Sequence, residues 1–98
     1  MKKSILIYLF LLIFSSTFAQ QLQPVELGGK VVDEETGEIL QGVNLFLRER
    51  PNIGTITDSE GKFTFKVTEG DVVIVSLVGY KNYEYLAIKN ISDLEIKM

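Results

Sequence analysis

Thr57, Asp58, Ser59 and Glu60 follow one another in the stretch GTITDSEGKFTF, and a second oxygen-rich run holds Asp33, Glu34, Glu35 and Glu38. The chemistry open to such groups is cation binding, or work by a paired acid and base. Calcium takes roughly six to eight oxygens, and loops that supply them from one segment space their acids at alternate positions before a glycine and close on a bidentate Glu. Here the acids around Asp58, Ser59 and Glu60 are wrongly spaced and the closing Glu is missing. Asp58 stands instead where a type I turn favours a carboxylate that accepts a backbone N–H two residues on, and Gly61 where the chain takes positive φ. A type I turn followed by a left-handed glycine is a common hairpin closure. The run from Asp33 to Glu38 surrounds Gly37 in a chain reversal and reads as a solvated tip.

Other chemistry has little to stand on. The chain has no His and no Cys, so a catalytic triad, a thiolate nucleophile and a conventional zinc site lack their usual members. Ser76 has no base nearby in sequence, and no glycine-rich loop opens a helix. No enzyme and no cofactor are expected. Tyr80, Tyr83 and Tyr85 could stack on sugar rings, but a period of two puts Tyr83 and Tyr85 on one face and Tyr80 on the other, and strands use Tyr heavily for packing.

The elements that position these residues are strands. Phe63, Phe65 and Val67 alternate with Lys62, Thr64, Lys66 and Thr68, the signature of a half-buried strand. Val43, Leu45 and Leu47 alternate with Asn44, Phe46 and Arg48, and Leu94, Ile96 and Met98 with Asp93, Glu95 and Lys97. Further strands are expected over 25–32, 54–57, 71–78 and 80–88. The 71–78 segment is rich enough in Val and Ile to have both faces covered. Turn residues fall between them at 34–37, 41–42, 51–52, 58–61, 69–71 and 90–93, with Gly37, Gly42, Asp58, Gly61, Gly70 and Gly79 as the turn formers. Seven short strands so punctuated predict an all-β, two-sheet sandwich. Its last strand, with Leu94, Ile96 and Met98, is the candidate interaction edge, because an unpaired edge accepts another strand by main-chain hydrogen bonds.

The N-terminus reads as a secretory signal peptide over 1–19. Lys2 and Lys3 give a positive start, 5–14 is an unbroken apolar run, and small residues lead to cleavage between Ala19 and Gln20. As a helix the apolar run reaches roughly 15 Å, against a hydrocarbon core of about 30 Å, so no transmembrane span is expected after cleavage. Loss of Lys2 and Lys3 takes the net charge from −3 to −5, which excludes nucleic acid or anionic lipid as a partner that needs a basic patch. Without cysteines the exported domain is held by its core alone.

The stretches GKVVDEETGEILQGVNLFL, NIGTITDSEGKFTFKV and GDVVIVSLVGYKNYE, in this order, resemble the carboxypeptidase regulatory-like domain across 29–84. The motifs are G-x-x-L-x-G-V at 37–43, G-T-x-T-D-x-x-G-x-F at 54–63 and S-x-V-G-Y at 76–80. Ile39 and Gln41 stand where the family often has Pro beside the leucine, and 48–52 replaces a more usual glycine-containing stretch. The resemblance implies a seven-stranded, transthyretin-like (prealbumin-like) Greek-key β-sandwich over 28–98, after a lead-in at 20–27. It further implies an accessory module that most often precedes the plug and barrel of a TonB-dependent, SusC-type outer-membrane receptor, on the periplasmic side. The partner would then be an envelope protein or the receptor's own plug and barrel. The alternative is a free-standing secreted or periplasmic module that binds carbohydrate.

Overall fold

A computed structural model describes residues 22–98; the expected signal peptide and its cleavage pair, Ala19 and Gln20, lie outside the described residues. Those residues form seven strands and no helix: β1 Pro24–Val32, β2 Asn44–Leu47, β3 Gly54–Ile56, β4 Lys62–Thr68, β5 Val72–Ser76, β6 Tyr83–Leu86 and β7 Ile91–Lys97. They make two sheets, β4-β1-β7 and β3-β2-β5-β6, which together are the all-β, transthyretin-like sandwich. Pairing is antiparallel except between β1 and β7, which run parallel.

Alternation dictates the core. Along β4, Phe63, Phe65 and Val67 are buried while Lys62, Thr64 and Lys66 are exposed. Leu27, Val31, Val43, Leu45, Val73, Val75 and Ile96 are fully buried between the sheets, where each side chain contributes about 1.5 to 3 kcal/mol relative to exposure. Leu27 belongs to this core and Pro24 already pairs with Thr68. The sheet therefore starts inside the expected lead-in, ahead of residue 28.

Three boundaries differ from expectation. The strand expected over 71–78 stops at Ser76, because the chain turns at Val78, which is 98% exposed, and at Gly79, whose φ is 91°. The strand expected over 80–88 is only Tyr83–Leu86, with Tyr80 left in the preceding loop. In contrast β7 begins at Ile91, within residues expected to turn. Nor does a third layer of described residues cover the outer face of β5. Val73 and Val75 face the core, whereas Ile74 lies outward between Phe46 and Glu84. It is nonetheless buried, and Arg48 reaches across β5 to Glu84 at 3.8 Å.

The oxygen-rich stretch from Thr57 to Glu60 is consumed by chain reversal. Asp58 Oδ1 accepts the backbone N–H groups of Glu60 and Lys62, both at 2.9 Å. Gly61, at φ 73°, packs against β1, so that a Cβ there would stand 3.0 Å from the Val31 carbonyl oxygen. Thr57 is the buried member. Its hydroxyl accepts from Val43 N–H at 2.9 Å and donates to the Leu40 carbonyl at 2.8 Å, tying the turn before β2 to the end of β3. Glu60 pairs with Lys62 at 3.1 Å.

Candidate interaction edge

β7 lies at the rim of its sheet, bonded to β1 on one side. Met98 N–H donates to the Val32 carbonyl at 2.9 Å, and the Met98 carbonyl accepts from Glu34 N–H at 2.7 Å. Along a strand, main-chain groups alternate between the two flanks. Those of Leu94, Ile96 and Met98 thus turn toward β1, while those of Glu95 and Lys97 turn outward; Asp93 falls within the irregular step between Ile91 and Leu94. Side chains alternate likewise. Ile96 is fully buried, with Leu94 and Met98 packed against the core. The candidate residues Leu94, Ile96 and Met98 anchor the strand from within, and the groups at the free edge belong to the residues between them.

The other long rim strand, β4, is closed at both ends. Lys62 N–H is held by Asp58 Oδ1 and its carbonyl by Asp58 N–H; Thr68 N–H is held by Asp71 Oδ2 at 2.9 Å. Asp71 is itself braced by Arg50 at 3.1 Å. Carboxylates that occupy edge donors, together with projecting lysines, are devices that discourage strand addition.

Near its start β7 carries a bulge. Leu27 pairs with Ile91 and Gly29 with Leu94, so β7 spends one more residue than β1 over the same step. Gly29 permits the crossing, since a Cβ there would lie 1.8 Å from the Leu94 carbonyl oxygen. Beside the bulge, Gly28, Lys30, Lys62, Thr64, Ser92 and Asp93 are among the residues that line an open groove of ≈ 790 Å³ on the outer face. Lys30 and Lys62 stand directly opposite each other there, a destabilising pair of like charges. Each is offset by a carboxylate, Glu95 at 3.7 Å and Glu60 at 3.1 Å.

The acidic turn after β1 is organised rather than simply solvated. Asp33 Oδ1 accepts the N–H groups of Glu35 and Thr36 at 2.8 and 2.9 Å, and Oδ2 accepts the Tyr80 hydroxyl at 2.7 Å. These bonds, led by the Thr36 N–H, hold the Asp33 carboxyl below its ordinary value of 3.8. The same carboxylate pushes the Tyr80 phenol above its ordinary value of 10.0. A depressed carboxyl stabilises the fold above its unfolded pKa and stops doing so as pH falls through the folded one; a raised phenol stabilises below its unfolded pKa and stops as pH rises through the folded one. Tyr80→Phe should therefore melt lower than the parent near neutral pH. The gap should close on acidification below about pH 4 and again on alkalinisation beyond about pH 10, as read by thermal melts across pH.

Tyr80 is thus committed to Asp33, away from the other tyrosines. Tyr83 and Tyr85 pair with Val75 and Val73, which puts them on the core side of β6, Tyr85 packed against the core and Tyr83 37% exposed. The three do not form one stacking platform. No group of three or more acidic side chains among the described residues is placed to hold a metal ion.

Some positions that matter carry little or no signal in the sequence. Thr57 reads in the sequence only as part of a polar run, although a threonine at the end of a strand just before a turn former is the signal that marks it. The bracing of Asp71 by Arg50 and the bond from the Glu26 N–H to Asn90 Oδ1 at 2.9 Å join residues 21 and 64 positions apart and leave no local mark.

Two sheets in the order β4-β1-β7 and β3-β2-β5-β6, with first and last strands side by side, define a transthyretin-like fold. The chain belongs to the CarboxypepD_reg-like domain family, which matches residues 27–98. It is 37% identical over 54 residues to the TonB-dependent receptor SusC of Bacteroides thetaiotaomicron, an overlap that takes in 55% of this chain and 5% of that protein. It is 30% identical over 95 residues to the TonB-dependent receptor P39 of Formosa agariphila, over 94% of this chain and 9% of that protein. The chain thus spans less than a tenth of either relative.

Proposed function

We propose that this sandwich is a noncatalytic interaction module of the bacterial envelope, on the periplasmic side of the outer membrane, and serves as the N-terminal piece of a TonB-dependent nutrient receptor. The observation that carries the reading is the similarity, over 94% of this chain, to a small part of a TonB-dependent receptor. Supporting it is a rim at β7 whose outward main-chain groups at Glu95 and Lys97 meet no other described residue, while the opposite rim, β4, is capped at its two ends by Asp58 and Asp71. A protein partner engages such a module by adding a strand, with main-chain bonds for affinity and alternate side chains for specificity.

Site-specific photo-crosslinking in cells tests this. A photoreactive residue in place of Lys97, which is exposed on β7, is expected to capture an envelope protein, and one in place of Lys66 on β4 is not. No product from Lys97, or equal products from both positions, would refute the reading.

A further inference from the structure

We infer that the processed chain carries a cyclised N-terminus: once the signal peptide is removed, Gln20 closes on itself to a pyrrolidone (pyroglutamyl) ring. This rests on export with cleavage between Ala19 and Gln20, the site that the small residues before it mark.

Within the precursor the nitrogen of Gln20 is a resonance-stabilised amide joined to Ala19, and a poor nucleophile. Cleavage turns it into an α-amine, whose ordinary pKa of about 7.7 to 8.0 leaves part of it unprotonated near neutral pH. Its lone pair then attacks the side-chain carbonyl carbon, Cδ, of the same residue. A new bond from the α-nitrogen to Cδ closes the ring, and the bond from Cδ to Nε2 breaks. The departing nitrogen takes up the proton that the amine gives up and leaves as ammonia. No oxidant, metal or co-reactant enters. Nucleophile and acceptor share one residue, so the attack has the entropic advantage of an intramolecular step.

The fold shows what a closed end protects. Leu22 is 70% exposed, and among the described residues the chain is first held at Gln23, whose carbonyl accepts the Glu69 N–H at 2.8 Å. Pro24 then pairs with Thr68, and Val25 and Leu27 already belong to the core. β1 is the middle strand of its sheet, with β4 on one flank and β7 on the other. Only Gln20, Gln21 and Leu22 therefore stand between the cleavage site and the strand on which that sheet is built. An aminopeptidase needs the α-amine that ring closure removes, so the lactam keeps such an enzyme from reaching β1.

Mass spectrometry of the protein purified from the envelope of the cells that make it tests this. Amines are first blocked by reductive dimethylation, so that ring closure during later handling is not counted, and trypsin then releases the N-terminal peptide, Gln20 to Lys30. The expected peptide is unlabelled at its α-nitrogen and lighter by about 17 Da, the mass of one ammonia. Gln20→Glu should be processed at the same bond yet carry the label at full mass, because a carboxylate resists attack by the amine. Incubated with a broad-specificity aminopeptidase before labelling, that variant should lose its leading residues while the parent keeps them. A parent peptide that begins at Gln20 with a labelled α-nitrogen would overturn cyclisation and leave the cleavage site standing. A mature chain that begins at any other residue would overturn both. Equal trimming of the parent and Gln20→Glu would show that the ring does not guard β1.

Discussion

Gly29→Ala is expected to destabilise the sandwich by about 3 kcal/mol or more, at the upper end of what overpacking costs. The reason is geometric. The added Cβ would sit 1.8 Å from the carbonyl oxygen of Leu94 and 2.7 Å from its carbonyl carbon. Both atoms are backbone, so no side chain can rotate away, and relief requires β7 to lift off β1. That movement strains the bulge and withdraws Ile96 from the core. For a domain of this size the shift in melting temperature is roughly 12 °C or more, read by circular dichroism. Gly28→Ala serves as the control, because a Cβ at Gly28 would come no closer than 3.5 Å to any atom outside its chain neighbours. Equal loss at both positions would mean that glycine's backbone freedom, and not the crossing of β7, is what the sheet needs.

Thr57→Val is expected to cost about 2 to 4 kcal/mol, since a methyl replaces the hydroxyl and strands both the Val43 N–H and the Leu40 carbonyl. The two groups flank the turn that launches β2, and Val43 is fully buried, so water cannot readily replace the lost partner. Thr57→Ser keeps both bonds and gives up only a methyl group, worth about 1 kcal/mol. Urea unfolding of the two variants beside the parent separates them. A valine variant no weaker than the serine one would show that the hydroxyl contributes nothing beyond its volume.

Fold and candidate edge were not equally legible in the sequence. Local pattern carried the fold: Phe63, Phe65 and Val67 must share a face whatever lies elsewhere, and Asp58 with Gly61 specifies a reversal by its own backbone requirements. It also marked the last strand, because Leu94, Ile96 and Met98 alternate with charged residues. What pattern could not supply is which flank of that strand is occupied. The direction of each main-chain group follows from the neighbour it meets, and β1 lies more than sixty residues away along the chain. The same holds for the link between Asp33 and Tyr80, which are 47 residues apart. Period two carried Tyr80 into a strand, whereas Gly79 keeps the chain turning and frees the ring to reach the carboxylate. Similarity to a family, rather than any cluster of side chains, supplies the cellular setting.

The parallel pairing of β1 and β7 sets how the domain bears tension. β1 begins at Pro24 at one pole of the sheet, and β7 finishes at Lys97 toward the opposite pole. A pull applied through these two strand ends is directed along their common axis, so the hydrogen bonds joining them are sheared together instead of being peeled one at a time. In a tethered position the sandwich would behave as a stiff link in series, resisting extension until that whole row of bonds fails at once.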